Sequence, residues 1–530
     1  MSPWFDGYPL RPDSFDEVFF ADGSPRPAAA GVVEALGQLD PAELRTRVEF
    51  LRRTYVDQGV TFDLGGRETP FPLDIVPRVV QAAEWAVVEA GVKQRVLALE
   101  RFLDDVYGEG RVFTDGVMPR KVVTTSHHFH RAAHGITPPN GVRVHVAGVD
   151  LIRDPQGDFR VLEDNVRVPS GVSYVISNRR ALSAALPEVA ALHQLRSVQE
   201  YPLRLRAALT ACAPRGVADP NVVVLTPGVF NSAYYEHALL ARMMGCELVE
   251  GRDLVCQNGY VSVRTTQGLR PVHVIYRRVD DEFLDPATFR SDSLLGVAGL
   301  MNAARRGNVT LANAVGNGVA DDKLVYTYVP DLIRYYLGEE PVIRGVDTWR
   351  LEEDAHREEV LDRMDELVIK PVDGSGGKGI VIGPAASPQE IAALRARIEV
   401  DPRGWIAQPV VQLSTVPTMI NDKLVPRHVD LRPFAVNDGS GVWVLPGGLT
   451  RVALPEGELI VNSSQGGGSK DTWVLADTSE YPHEEIPEAS IHPVAMAMQR
   501  REDVRIRPPQ SQQEQQQQAA VAAREGVATC

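Results

Sequence analysis

Residues 367–382, LVIKPVDGSGGKGIVI, decide the fold that the sequence predicts. Two short apolar runs flank a glycine-rich turn, so the segment predicts two strands joined by a loop. Glycines let backbone N–H groups approach phosphate oxygens without Cβ clashes, and Lys370 and Lys378 add positive charge. A P-loop is excluded because Gly379, not Ser or Thr, follows Lys378. The segment therefore predicts a nucleotide-binding flap, and the alternative is an ordinary hairpin loop.

A second segment, 143–165, predicts an antiparallel hairpin that turns within DPQGD at 154–158. If Gln156 and Gly157 form the turn, Asp150 and Glu163 are cross-strand neighbours about 5 Å apart, and Asn165 projects from the same face. Adjacent carboxylates repel unless a cation lies between them. Mg²⁺ prefers one or two carboxylates completed by phosphates and water. The hairpin therefore predicts a magnesium site, against the simpler interpretation of a solvated face.

The composition limits the classes of function. The chain has 530 residues, of which 44% are hydrophobic, and a net charge of −15. It is long enough for several domains, and its acidic balance argues against a nucleic-acid partner, since such proteins need clustered Lys and Arg. No run of about 18 apolar residues predicts a membrane span, and no basic start followed by an apolar run predicts a signal peptide. We expect a cytoplasmic protein without a nucleic-acid or membrane partner.

The order of the motifs resembles a rotated version of the ATP-grasp ligases, most visibly the bacterial glutathione synthetases. In that family a lysine precedes a K-P-x-D-G-x-G-G strand, as Lys323 precedes 370–377 here, and an A-Q strand follows, here ending in Gln408. Two family arginines, one before a D-G turn and one before a Pro and a glycine pair, match Arg432 and Arg451. The chain resembles the ATP-grasp ligases from about residue 142 to residue 470.

The metal-binding end of the family motif, G-x-D…E-x-N followed by P-x-G, comes first in this chain, at 148–171. Domain termini often lie close together, so one fold can be opened at another point. The sequence thus resembles a circularly permuted ATP-grasp protein. It departs from the glutathione synthetases at Ile460, where they carry an Arg, and at the added Lys378, which argues against glutathione as the product.

The resemblance implies ATP and Mg²⁺ as cofactors and an ADP-forming reaction that joins a small-molecule or peptide carboxylate to an amine through an acyl phosphate. It assigns the site residues as follows: for ATP, Lys323, Lys370, Gly374, Ser375, Gly376, Gly377, Lys378 and Gln408; for the metal, Asp150, Glu163 and Asn165; for the acyl phosphate, Arg432 and Arg451. Two alternatives stay open. One is a non-catalytic ATP-binding scaffold or sensor acting with protein partners, and the other is a small-molecule kinase.

Candidate substrate residues lie in the segment YRRVDDEF. Arg277 and Arg278, with two aspartates after them, predict a site for a zwitterionic substrate, and Glu236 is expected to face the same pocket. A solvated charge run is the alternative. The histidines of SHHFHRAAH lack a Cys or acidic partner at zinc-ligand spacing, so we expect them to line the edge of a polar cleft.

Changes in period and composition predict an α/β class with α+β elements. The expected organisation is listed in chain order: a helical N-terminal region at 1–110, the metal-binding part of the ATP-grasp domain at 111–200, an α/β domain at 201–330, the lid with the glycine-rich loop at 331–410, the remainder of the ATP-grasp domain at 411–477, and a disordered glutamine-rich tail at 478–530.

Overall fold

The structure, a computed structural model, describes residues 4–477 apart from 65–66, 192–193, 375–378, 459–460 and 462–466, and it leaves the side chains of 61–70 undescribed. The flap residues Ser375, Gly376, Gly377 and Lys378, and the tail predicted at 478–530, lie outside the described residues. Among the helices that are described, none is long and apolar enough to cross a membrane.

Helices and strands alternate along most of the chain. The α-helices are α1 (Ala30–Gln38), α2 (Pro41–Asp57), α3 (Ala82–Val106), α4 (Arg111–Thr114), α5 (Arg120–Thr124), α6 (Val172–Ala185), α7 (Pro187–Ala191), α8 (Tyr201–Ala211), α9 (Tyr234–Met244), α10 (Asp281–Leu284), α11 (Leu300–Arg305), α12 (Lys323–Tyr326), α13 (Val329–Leu337), α14 (Asp354–Asp362) and α15 (Pro388–Val400). The strands up to the middle of the chain are β1 (Thr61–Leu64), β2 (Arg67–Pro70), β3 (Arg78–Val80), β4 (Val146–Arg153), β5 (Phe159–Asn165), β6 (Val222–Leu225), β7 (Glu247–Val249), β8 (Leu254–Gln257), β9 (Tyr260–Thr265), β10 (Gly268–Val272), β11 (Val274–Arg277) and β12 (Thr310–Ala312). The later strands are β13 (Trp349–Arg350), β14 (Leu367–Pro371), β15 (Val381–Ile382), β16 (Trp405–Pro409), β17 (Thr415–Ile420), β18 (Lys423–His428), β19 (Arg432–Asn437), β20 (Val442–Val452), β21 (Gly468–Lys470) and β22 (Thr472–Val474). The predicted α/β class with α+β elements is confirmed.

The N-terminal region contains the helices α1 to α3 and also the strands β1 to β3. Helix α2 begins after Asp40, whose carboxylate accepts hydrogen bonds from the N–H groups of Ala42 and Glu43 at 2.8 and 2.9 Å and so caps the helix. Strand β3 pairs in parallel with β22, from the other end of the described chain. The start of the chain is therefore joined to its last strands by backbone hydrogen bonds.

The sheet that positions the candidate site has the order β21-β20-β19-β4-β5. Strand β4 is buried along its whole length, in agreement with the apolar run that predicts it. It pairs with β19, where Gly148 lies opposite Phe434. The early carboxylate hairpin β4–β5 thus lies beside strands that come almost 300 residues later in the sequence.

Two further sheets flank the hairpin. A parallel sheet of order β12-β11-β6-β7 has strand ends at Leu225, Arg277 and Ala312, and ligands commonly bind beyond the carboxyl ends of such strands. An antiparallel sheet of order β13-β16-β14-β15 contains the two strands predicted around the glycine-rich segment. The N–H of Lys323 donates to the carbonyl of Val372 at 3.1 Å and ties this sheet to α12.

Candidate active site

The acidic hairpin has the register that the sequence predicts at the end that carries Asp150 and Glu163. Asp150 lies opposite Glu163, and Gly148 lies opposite Asn165. Near the turn the pairing differs by one residue, with Arg153 opposite Phe159, and a bulge after Asp150 corrects it. Counting outward from the turn gave the right pair because the longer turn and the bulge offset each other.

Two arginines from neighbouring strands hold Asp150. Arg432, at the start of β19, donates from Nε and Nη2 to the two carboxylate oxygens, with 2.7 Å for the Nη2 bond. Arg451, on β20, donates from Nη2 to Oδ2 at 2.7 Å and also binds Asp430. A Cβ at position 148 would come within 3.2 Å of Arg432 Cδ, so Gly148 lets this side chain lie over β4.

The charges of this cluster are strongly coupled. Burial alone would raise the pKa of Asp150, but the guanidinium groups of Arg432 and Arg451 outweigh it and hold that pKa well below its ordinary value. Asp430 shares Arg451 with Asp150; burial is the main cause of its raised pKa, and the Asp150 charge adds to it. Asp150 is therefore the ionised member of this pair. Its negative charge makes ionisation of Asp430 less favourable.

The two predicted lysines lie near Glu163, the hairpin carboxylate opposite Asp150. Lys323 Nζ is 3.3 Å from Glu163 Oε2, and it donates to the carbonyl of Gly374, which directly precedes the undescribed residues 375–378. Lys370 is buried on β14. Burial, reinforced by the charge of Lys323 and opposed by Glu163, lowers the pKa of Lys370 to about 8. Both lysines therefore lie within electrostatic reach of the hairpin.

The premise that a metal must separate the carboxylates needs correction. Arg432 Nη2 is 3.8 Å from Glu163 Oε1 as well as bonded to Asp150, so cations of the chain already lie between the two acids. No group of three or more His, Cys, Asp and Glu residues in the described parts of the chain could hold a metal. A magnesium ion here would depend on Asn165 as well.

The residues present nevertheless fit Mg²⁺. Asp150, Glu163 and Asn165 offer the oxygen ligands that this ion prefers. Asn165 Nδ2 is buried without a hydrogen-bond partner among the described residues, so its amide is not committed to another group of the protein through that nitrogen. Phosphates and water would complete the coordination.

The remaining predicted nucleotide residue lies on the hinge strand. Gln408, on β16, is buried, and its Nε2 donates to Thr348 Oγ1 at 2.9 Å. It lies opposite Val368 on β14, two residues before Lys370. The role of Gln408 in ATP binding stays a prediction.

The three predicted substrate residues are deeply buried. Arg277 donates to the carbonyls of Asn313, Val279 and Ala314 at 2.8 to 3.0 Å. Glu236 accepts from the N–H groups of Gly171 and Ser173 at 2.7 and 3.1 Å and so neutralises the positive N-terminal end of α6.

Arg278 completes this buried group, since it donates to Glu236 Oε1 at 3.2 Å. The structure thus engages Arg277 and Glu236 with the protein itself, and Arg278 in part, since its Nε has no hydrogen-bond partner among the described residues. Their role in substrate binding stays a prediction.

Sequence reasoning missed a second layer behind the hairpin. On β5, the side chain of Asp164 points to the opposite face from that of Glu163. It forms a bidentate ion pair with Arg95 of α3, at 2.5 and 2.7 Å. Both side chains are buried. The only sequence signal is an arginine among the apolar residues of a helix, where a buried charge requires a partner.

Comparisons with known proteins agree with this architecture. The family model described as circularly permuted ATP-grasp type 2 matches residues 77–453. An uncharacterized protein of Mycobacterium tuberculosis is 61% identical over 90% of this chain and 87% of its own. An uncharacterized protein of Synechocystis is 52% identical over 88% of this chain and 98% of its own.

Two further proteins match this chain over part of their own length or in fold. A Frankia alni protein provisionally named a glutamate–cysteine ligase is 46% identical over 88% of this chain, but the match spans 54% of that protein. The structure of a glutathione synthetase-like effector from Globodera pallida superposes with a TM-score of 0.55 at 11% identity, over 83% of this chain and 98% of that one. This second match concerns the fold alone.

Proposed function

Because the chain belongs to the circularly permuted ATP-grasp type 2 family, we propose that it is an ATP- and Mg²⁺-dependent ligase that joins a carboxylate to an amine and forms ADP. The family supports an ATP-dependent ligase in general. The finer statement, an amide or peptide bond made through an acyl phosphate, is our proposal.

One observation supports the proposal most directly: carboxylate and cationic side chains of the predicted motifs lie together at one hairpin. Arg432 and Arg451 bind Asp150 at 2.7 Å, and Lys323 lies 3.3 Å from Glu163. Phosphoryl transfer depends mainly on positioning and on neutralising charge. This cluster supports both requirements, since the partly exposed Glu163 could bind a metal ion while Lys323 and Lys370 could neutralise phosphate charge.

The reaction assigned to this cluster has two steps. An oxygen of the substrate carboxylate attacks the γ-phosphorus of ATP, the bond to the β-phosphate oxygen breaks, and ADP leaves. The amine then attacks the carbonyl carbon of the acyl phosphate, loses a proton, and displaces phosphate. Bound Mg²⁺ would neutralise phosphate charge, Lys323 and Lys370 would orient the terminal phosphates, and Arg432 and Arg451 would steady the acyl phosphate.

Hydroxylamine trapping tests this proposal. The full chain is incubated with ATP, Mg²⁺, hydroxylamine and a panel of amino acids, short peptides and other carboxylates. Hydroxylamine is a small nucleophile that captures an acyl phosphate without the natural amine, so the correct carboxylate should give a hydroxamate together with ADP. A chain with Arg451→Met serves as a site-directed comparison and should give no hydroxamate.

The other outcomes discriminate among the alternatives. A stable phosphate ester would indicate a small-molecule kinase. Binding of ATP that is not followed by ATP turnover in the presence of any carboxylate would favour a scaffold or sensor. Release of AMP and pyrophosphate would contradict attack at the γ-phosphorus.

A further inference from the structure

Arg167 lies at the junction of the hairpin and the parallel sheet. It follows Asn165 by two residues, a distance of at most about 7 Å along the chain. Its guanidinium is 3.3 Å from Asp280 Oδ1 and 3.6 Å from Asp321 Oδ2. Asp280 follows β11, and Asp321 lies beyond β12. The side chain therefore lies near the carboxyl ends of the parallel strands, the side of such a sheet on which ligands commonly bind.

The guanidinium of Arg167 is incompletely used by the protein. Its Nε has no hydrogen-bond partner among the described residues, and its two ion pairs are longer than a charge-assisted hydrogen bond of about 2.8 Å. The predicted substrate residue Arg277, in contrast, directs its donors to three carbonyls and is wholly buried. Arg167 keeps 22% of its side chain exposed, and so does Asp280.

The neighbouring groups leave room for the side chain of Arg167. A Cβ at position 318 would come within 3.0 Å of Arg167 Cδ and 2.9 Å of His128 Cβ, so Gly318 allows both side chains to cross this segment. Burial, reinforced by Arg167, lowers the pKa of His128 to about 3, which keeps this imidazole neutral. Arg167 is the cation of this group, and the carboxylates of Asp280, Asp321, Asp281 and Glu282 all act on it. Asp280 keeps 22% of its side chain exposed and Asp321 keeps 14%.

We propose that Arg167 and Asp280 form a subsite for the α-carboxylate and α-ammonium groups of an amino acid whose distal carboxylate reaches the acidic hairpin. A guanidinium binds a carboxylate through paired hydrogen bonds, and an aspartate next to it complements an ammonium group. The short chain distance from Arg167 to Asn165 fits a dicarboxylic amino acid, because its second carboxylate lies a few ångströms from the α-carbon.

This inference rests on the proposed function and specifies its substrate: the activated group is a side-chain carboxylate of an amino acid. It assigns recognition to Arg167 and Asp280 instead of Arg277, Arg278 and Glu236. The last three residues would then have a structural role behind the subsite.

Binding measurements test the subsite directly. L-glutamate and L-aspartate are titrated calorimetrically into the full chain with Mg²⁺ and a non-hydrolysable ATP analogue, next to their α-amides and N-acetyl derivatives. At least one free amino acid should bind at least about tenfold more tightly than either derivative, since each derivative removes one charged partner of the subsite.

Variants assign the two contacts. Arg167→Met should weaken amino-acid binding at least about tenfold, and Arg167→Lys should lie between it and the parent, because an ammonium keeps the charge but not the paired geometry. Asp280→Asn should remove the preference for the free amine over the N-acetyl derivative. Arg305→Met is a matched control, since Arg305 lies in the same part of the molecule and donates to the carbonyl of Ala132.

The outcomes separate the subsite from the proposed function. Absent binding of both amino acids, equal binding of the derivatives, or unchanged affinity in both Arg167 variants would each overturn the subsite. Hydroxamate formation from an unrelated carboxylate would overturn the subsite and leave the ligase standing. Amino-acid binding that depends on Arg167, without any ADP release, would support the subsite and contradict the ligase.

Discussion

Asp150 and Glu163 face each other across the hairpin, yet their surroundings differ. Asp150 is buried and bound by two guanidinium groups, and removal of one member of such a buried pair typically costs about 3–5 kcal/mol. Glu163 keeps 25% of its side chain exposed, and its ion pairs with Lys323 and Arg432 measure 3.3 and 3.8 Å. Glu163 is therefore the acid that can exchange a partner for a metal.

Substitution of Glu163 should separate activity from folding. In a Glu163→Ala chain we expect ATP turnover to fall at least about 100-fold, because an electrostatic contact to the reacting groups is commonly worth that much. The melting temperature should stay within a few degrees of the parent, because partly exposed ion pairs contribute little stability. Steady-state ADP release and thermal melts measure the two effects.

Asp158→Asn is the matched control, since Asp158 lies in the turn of the same hairpin with 74% of its side chain exposed. It should keep both activity and melting temperature. Normal turnover in a folded Glu163→Ala chain would exclude Glu163 from the metal site.

At the scale of single elements, we expect strand β14 to make the site sensitive to pH. Lys370 is buried there within reach of the charges of Glu163 and Lys323, and burial lowers its pKa to about 8 from the ordinary 10.5. Its charged form is present below that pH and is lost as pH rises through it. A neutral Lys370 cannot neutralise a phosphate group.

We therefore expect the kcat/KM for ATP to fall as the pH rises through about 8, because this parameter reports groups of the free enzyme. A Lys370→Arg chain should keep its nucleotide affinity to higher pH, since a guanidinium stays charged. Binding of a non-hydrolysable ATP analogue between pH 6.5 and 9.5 measures this for both proteins. Identical pH profiles would show that another group controls the response.

Local patterns predicted the elements that carry their own signal. The apolar runs around the glycine-rich segment predicted β14 and β15, and the alternation on either side of 154–158 predicted β4 and β5. The pairing of Asp150 with Glu163 was predicted as well, although the bulge was not. Hairpins are predictable to this extent because the turn and the period of two fix their register.

Contacts between distant parts of the chain were not predictable from local pattern. The ion pair between Arg95 and Asp164 joins residues 69 positions apart. The parallel pairing of β3 with β22 is not preceded by a turn motif that would predict it. The arginines of YRRVDDEF illustrate the same limit. A charged run looks like a binding surface in sequence, and only packing shows that the Arg277 guanidinium is directed to backbone carbonyls.

On the scale of the whole molecule, strand β22 near the end of the described chain pairs with β3 of the N-terminal region. Strand β22 is buried, and Trp473 is wholly inaccessible, with its Nε1 donating to Asp471 at 2.6 Å. Asp471 in turn accepts from Arg179 at 2.8 Å. The last strand is therefore part of the core, whereas the glutamine-rich composition after it offers little apolar surface for burial.

Two truncations test this boundary. A chain ending at Glu480 should melt like the parent, because it keeps β22. A chain ending at Lys470 should melt at least about 5 °C lower, since loss of a buried Trp alone costs about 3–5 kcal/mol. Thermal melts of the purified chains measure both, and a lower melting temperature for the first truncation would show that residues beyond 480 pack on the core.

The pairing of β4 with β19 also has a consequence for synthesis on the ribosome. Asp150 emerges 282 residues before Arg432, its first guanidinium partner. At roughly 5–20 residues per second, translation takes about 15 to 60 s to cover that interval. Until then the apolar hairpin lacks its β19 neighbour, and Asp150 lacks both of its guanidinium partners. The permuted order thus leaves one edge of the hairpin unpaired during that interval of synthesis.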